Sequence, residues 1–109
     1  MMPTNDYLEL IVQNILEEYE NAKKAREGED VYVGWGCIAG LAKQQGRKPP
    51  PESCFTRRTV MKALKIVASK GYKIQYGPTE DQQWDMALIN DVPVKFFFFR
   101  DRNPVKWIK

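Results

Sequence analysis

The chain has 109 residues, of which 43% are hydrophobic and 28% charged, a composition that predicts one folded domain with its own core. Two cysteines and no histidine argue against a four-ligand zinc site and against histidine-based acid–base catalysis. No apolar run approaches the roughly 20 residues that a membrane span requires, and the first six residues lack the pattern of a secretory signal. We therefore expect a cytoplasmic protein with no membrane, metal or cofactor.

The net charge of +3 is distributed unevenly along the chain. Residues 1–30 carry three basic and eight acidic side chains, residues 31–73 carry nine and one, and residues 74–109 carry five of each. The middle block therefore holds a net charge of +8. A basic block inside a folded domain predicts a polyanionic partner, and the alternative is a lysine-rich face that only contacts solvent.

Residues 4–27 have the pattern of a long first helix that ends at Gly28. Leu10, Val12 and Leu16 widen its apolar surface, so the helix either packs along the whole core or pairs with a second copy of the chain. We keep a homodimer through this helix as a prediction. The buried stripe expected from the helical spacing consists of Leu8, Ile11, Ile15, Tyr19 and Ala22.

A short strand at 31–33 and a short helix at 36–45 precede three consecutive prolines, which cannot be helical. Residues 56–73 then predict an amphipathic helix, capped by Ser53 or Thr56 and closed by Gly71. Its apolar and basic faces lie on opposite sides. The first consists of Val60, Leu64 and Val67, and the second of Arg58, Lys62, Lys65 and Ser69.

The remaining residues predict strands at 72–76, 84–89 and 92–99, with a turn at Asn90–Asp91 and a further strand possible at 105–109. The run from Val92 to Phe99 is apolar on both faces near its end. It therefore predicts either a central strand or an oligomer contact.

This order of elements resembles the winged helix-turn-helix family, on the segment from Thr59 to Leu64 followed by Gly71-Tyr72. The resemblance implies a winged-helix-like α+β fold of three helices followed by a small antiparallel β-sheet, with 1–30 as the N-terminal helix, 31–73 as the helix-turn-helix core and 74–109 as the wing region. It also implies duplex DNA binding by the third helix and its approach loop. The residues assigned to DNA are Arg47, Lys48, Thr56, Arg57, Arg58, Thr59, Lys62 and Lys65.

Two features depart from the family pattern. The loop from Arg47 to Phe55 is long and proline-rich, and the wing between Gly77 and Gln83 is acidic at Glu80 and Asp81. A non-enzymatic DNA-binding regulator of transcription, of the kind that phages or mobile elements encode, is the function that we predict from these observations. RNA or an acidic protein could take the place of DNA on the same basic face.

The main alternative is a protein-interaction module, such as an adaptor or a phage-encoded inhibitor, which would use the aromatic residues Trp35, Trp84 and Trp107 as anchors. An enzyme is not expected, because neither a compact carboxylate–lysine cluster nor a glycine-rich phosphate loop is present. Cys37 and Cys54 are expected to be reduced thiols, with a disulfide between them as the other possibility.

Overall fold

The computed structural model describes residues 4–26, 28–98 and 107, with side chains from residue 7 onward. In this part of the chain three α-helices pack on one face of a four-stranded sheet, in an α+β fold. The helices are α1 (Thr4–Lys24), α2 (Trp35–Gln44) and α3 (Arg57–Ser69), and the strands are β1 (Tyr32–Val33), β2 (Ile74–Pro78), β3 (Asp85–Ile89) and β4 (Val92–Phe96).

α1 lies along the core of its own chain and contacts α2, α3, β1 and β4. Leu10, Ile11 and Ile15 are at most 2% exposed, and Val12 and Tyr19 are also buried. Of the two alternatives for this helix, packing along the whole core is therefore the one observed. Leu10 and Val12, which had favoured pairing with a second copy, are buried within the chain itself.

The sheet has the order β1-β4-β3-β2, in which β2, β3 and β4 form an antiparallel meander. The prediction of a purely antiparallel sheet is wrong in one strand, because β1 pairs with β4 in parallel. Two α-helices, a short 3-10 helix (Glu52–Cys54) and two strands separate β1 from β4, so no hairpin fixes their relative direction. The two strands pair at only two positions, and hydrogen bonds join them. The Lys95 amide donates to the carbonyl oxygen of Val31, and the Phe97 amide donates to that of Val33.

β4 lies between β1 and β3 and is therefore an interior strand, as one of the two alternatives predicted. It ends at Phe96, and Phe96 and Phe98 are buried on the face that meets the helices. The predicted turn before it is confirmed, since Asn90 and Asp91 both adopt a positive φ, as two-residue hairpins require. The possible strand at 105–109 lies outside the described residues, apart from Trp107, which is not in a strand.

One cluster of buried side chains joins all three helices to all four strands. Within the described residues no helix has the length and apolar character to cross a membrane, and no three potential metal ligands lie together. Cys37 and Cys54 are free thiols rather than a disulfide.

Candidate nucleic-acid interface

The start of α3 is fixed by a reciprocal cap between Thr56 and Thr59. The Thr56 hydroxyl oxygen accepts from the amide of Thr59 at 3.3 Å, and the Thr59 hydroxyl oxygen accepts from the amide of Thr56 at 3.0 Å. The Thr59 hydroxyl also donates to the carbonyl oxygen of Cys54 at 2.9 Å. Thr56 and Thr59, both of which the sequence analysis assigns to DNA binding, therefore have hydrogen-bond partners within the chain and set where α3 begins.

The two faces of α3 are those that the sequence predicts. Val60, Ala63, Leu64 and Val67 are buried, with at most 4% of each residue exposed. The cations Arg58, Lys62 and Lys65 are exposed, and none of them forms an ion pair with a described residue. With Thr56, Arg57 and Met61 they line an open groove of about 690 Å³.

Arg57 faces the sheet and not the solvent. Its Nε donates to one carboxylate oxygen of Asp85 at 2.6 Å and its Nη2 to the other at 3.1 Å. Only 19% of the Arg57 side chain and 6% of the Asp85 side chain are exposed. A bidentate pair of this kind fixes both side chains, so Arg57 joins the first turn of α3 to the first residue of β3.

Tyr76 completes this network from β2, because its hydroxyl donates to the same Asp85 carboxylate. Burial, followed by the hydrogen bond to Asp85, raises the pKa of the Tyr76 hydroxyl far above its usual value of 10. The phenol is therefore neutral at physiological pH and acts as a hydrogen-bond donor. Asp85 thus receives hydrogen bonds from both α3 and β2.

The loop that carries Arg47 and Lys48 is attached to α2 at two points. The amide of Arg47 donates to the carbonyl oxygen of Ala42 at the end of α2, and further along the loop the carbonyl oxygen of Pro50 accepts from the indole of Trp35. Lys48 is exposed and Arg47 is half-buried. The structure groups Arg58, Lys62 and Lys65 in one groove, and neither Arg47 nor Lys48 lines that groove.

The hairpin between β2 and β3, which corresponds to the predicted wing, carries negative charge. Hydrogen bonds from the Thr79 hydroxyl and then from the Gln83 amide hold the pKa of the Asp81 carboxyl below its ordinary value. Glu80 beside it is exposed. Because Asp85 at the base of this hairpin pairs with Arg57, the acidic hairpin starts beside the first turn of α3.

Sequence reasoning missed Asp85 and Tyr76, although a signal for Asp85 was present. Asp85, Ala87 and Ile89 alternate along β3 and all three are buried. A carboxylate on the buried face of a strand requires a partner, because desolvation of an unpaired charge is costly. That requirement predicts a basic partner for Asp85, but it does not identify Arg57, which lies 28 positions away.

Comparison of the chain with protein-family models, curated proteins and solved structures gives no match.

Proposed function

We propose that the protein binds duplex DNA without catalysis, through the basic groove of α3 formed by Arg58, Lys62 and Lys65. The observation that supports this best is the exposure of three cations on one helix face, none of them paired with a described carboxylate. The major groove of B-DNA is wide enough to admit one α-helix. A helix whose opposite face is buried in the core meets this requirement, because it can present its cationic face to the major groove while it stays packed in the domain.

Binding in this proposal begins with neutralisation of phosphates by the lysines. Each phosphate contact releases a counterion and contributes about −0.9 to the slope of log K against log salt. Arg58 lies in the first turn of α3, where helices of this kind reach base edges, and a guanidinium suits the two acceptors of guanine. Arg57 supports the interface indirectly, because its pair with Asp85 fixes the first turn of α3 to β3.

The test is a salt titration of binding to random duplex DNA by fluorescence anisotropy, with single-stranded RNA of the same length in parallel. The triple variant Arg58→Ala, Lys62→Ala, Lys65→Ala should bind duplex at least about tenfold more weakly, with a slope shallower by about 1.8, because two lysines contact phosphates. The matched control is Lys24→Ala, Arg26→Ala, Lys43→Ala, which removes the same charge from exposed positions elsewhere.

An equal loss in both triple variants would mean that binding follows net charge rather than α3. Preference for RNA over duplex DNA would contradict the insertion of α3 into the DNA major groove. If the protein binds neither nucleic acid at low salt, the DNA proposal is wrong.

A homodimer would suit a transcriptional regulator, because two copies bind two half-sites of a palindrome. The apolar residues Leu8, Leu16 and Ile66 line an open groove of about 440 Å³ between α1 and α3, and Ile66 is 38% exposed. We include a dimer through this groove in the proposal. Sedimentation of the wild type and of Ile66→Glu tests it, since a dimer through this groove should dissociate in the variant.

A protein-interaction module is the second candidate function, favoured by the sheet face that points away from the helices. Tyr32, Trp84 and Phe97 form a row there, with ring centroids 5.4 and 5.0 Å apart. Tyr32 and Trp107 are 44% and 47% exposed. Aromatic residues of this kind are enriched at protein interfaces, so an absence of nucleic-acid binding would make this surface the next to examine.

A further inference from the structure

A recess lies between α1 and α2, apart from the groove of α3, and one of the residues that line it is a buried asparagine. Asn14 is 5% exposed, and its side-chain oxygen Oδ1 has no hydrogen-bond partner among the described residues. The same residue lines an open pocket of about 260 Å³ between the two helices. Because a buried acceptor without a donor is costly, the recess suits a ligand that donates a hydrogen bond.

Two glycines keep one wall of this recess open. Gly36 and Gly40 lie one helical turn apart on α2, and a Cβ placed on either would meet no atom within 4 Å. Neither has a positive φ, so the backbone conformation does not require glycine. Glycine makes a helix less stable than alanine does. The two glycines leave a space beside Asn14 that larger side chains at these positions would fill.

The opposite wall carries negative charge. Glu17 and Glu18 of α1 line the pocket, and neither forms an ion pair with a described residue. The Glu18 carboxylate is oriented by a hydrogen bond of 2.6 Å from the side-chain amide of Asn21. The recess therefore brings together an unpartnered amide oxygen and two carboxylates, all of which accept hydrogen bonds.

We propose that this recess binds an organic cation with N–H donors, and in particular the guanidinium head of an arginine side chain. A planar guanidinium presents several donors in a fixed fork, so it can bind an amide oxygen and a carboxylate at once, which a compact ammonium does less well. The pocket is smaller than the 300–1,000 Å³ typical of drug-sized ligands, which fits a side-chain head. This site is independent of the proposed DNA groove, since none of its residues lies on α3.

The test uses NMR titration of the full chain with N-acetylarginine amide, whose only charge is its guanidinium. We expect saturable shifts of the Asn14 side-chain amide and of the Gly36 and Gly40 backbone amides, with a Kd of about 1–10 mM for so small a probe. The isosteric N-acetylcitrulline amide, which lacks the charge, should bind at least fivefold more weakly. Spermidine in a parallel titration distinguishes a free polyamine from an arginine side chain as the source of the cation.

Two variants check the location. Gly40→Leu fills the recess at a position where glycine disfavours the helix, so it should fold and lose the binding. Ala68→Leu makes a comparable change on the exposed surface of α3 and should leave the Kd unchanged. The proposal is overturned if neither cation shifts these resonances, if citrulline and arginine bind equally, or if folded Gly40→Leu binds as tightly as the wild type.

Discussion

Arg57 and Arg58 are neighbours in the sequence, but they lie in different environments on α3. Arg57 turns toward the sheet, where it forms a bidentate pair with Asp85 and is 19% exposed. Arg58, one residue or about 100° further round the helix, lies in solvent and has no ion-pair partner among the described residues. One arginine is therefore a structural residue, and the other remains available to a ligand.

The difference shows why the charge of a segment is an incomplete guide to a binding surface. The block at 31–73 has a net charge of +8, but a cation already paired with a buried carboxylate contributes little to the attraction of phosphate. Pairing with Asp85 holds the Arg57 side chain against β3, and the cap involves the hydroxyls of Thr56 and Thr59, although Thr56 and Arg57 still line the groove.

The largest expected effect is that of removing the carboxylate that holds Arg57. Asp85→Ala leaves a poorly solvated guanidinium and the Tyr76 hydroxyl without their acceptor, and should lower the free energy of unfolding by about 3 kcal/mol. Urea unfolding followed by circular dichroism measures this. Glu20→Ala, which breaks an exposed pair with Lys23, is the control and should change stability little. Equal stability of wild type and Asp85→Ala would mean that Arg57 is not held by this pair.

A smaller loss is expected when both charges of the pair are replaced together. Arg57→Met combined with Asp85→Leu removes both charges of this pair together, although the Tyr76 hydroxyl still loses its acceptor, and the net loss should be about 1–2 kcal/mol. The same urea experiment, run on both single variants and the double, forms a double-mutant cycle. Strictly additive effects would contradict direct coupling between the two residues.

Most of the helices and strands could be predicted from sequence because their signals are local. The stripe at Val60, Leu64 and Val67 predicts the buried face of α3, and Asn90–Asp91 predicts its hairpin turn. The parallel pairing of β1 could not be predicted, because a two-residue strand far from its partner carries no information about direction. The hydrophobic pattern of α1 likewise could not distinguish burial at Leu10 and Val12 from pairing with a second copy.

The candidate site was predictable only in part, for the same physical reason. Helical spacing alone places Arg58, Lys62 and Lys65 on the exposed face of α3. The pairing of Arg57 depends on a contact across 28 positions, and the recess beside Asn14 depends on how α1 and α2 pack. Sequence patterns indicate which side of an element is buried, but they do not show which partner lies opposite.

The Tyr76 hydroxyl should make the stability of the Arg57–Asp85–Tyr76 network depend on pH. The folded-state pKa of this tyrosine is raised above its unfolded value of 10, so its contribution to stability is full below pH 10 and is lost as the unfolded chain ionises above it. Between pH 9 and 11 the wild type should lose about 1 kcal/mol more stability than Tyr76→Phe. Thermal or urea unfolding at several pH values measures the difference. If the free energy of unfolding of the two proteins changed equally with pH, the hydrogen bond from Tyr76 to Asp85 would not contribute to stability as proposed.

The smallest effect on stability is expected at Arg58, where the comparison with Arg57 is sharpest. Arg58→Ala should change the free energy of unfolding by no more than about 0.5 kcal/mol, because the side chain is exposed and forms no ion pair with a described residue. Because the proposal places the Arg58 guanidinium on a base edge, its loss should weaken duplex binding by about fivefold or more. Lys43→Ala, which removes an exposed cation of α2, should leave duplex binding unchanged. If Arg58→Ala and Lys43→Ala behaved alike in both measurements, Arg58 would be a solvated charge that does not contact DNA.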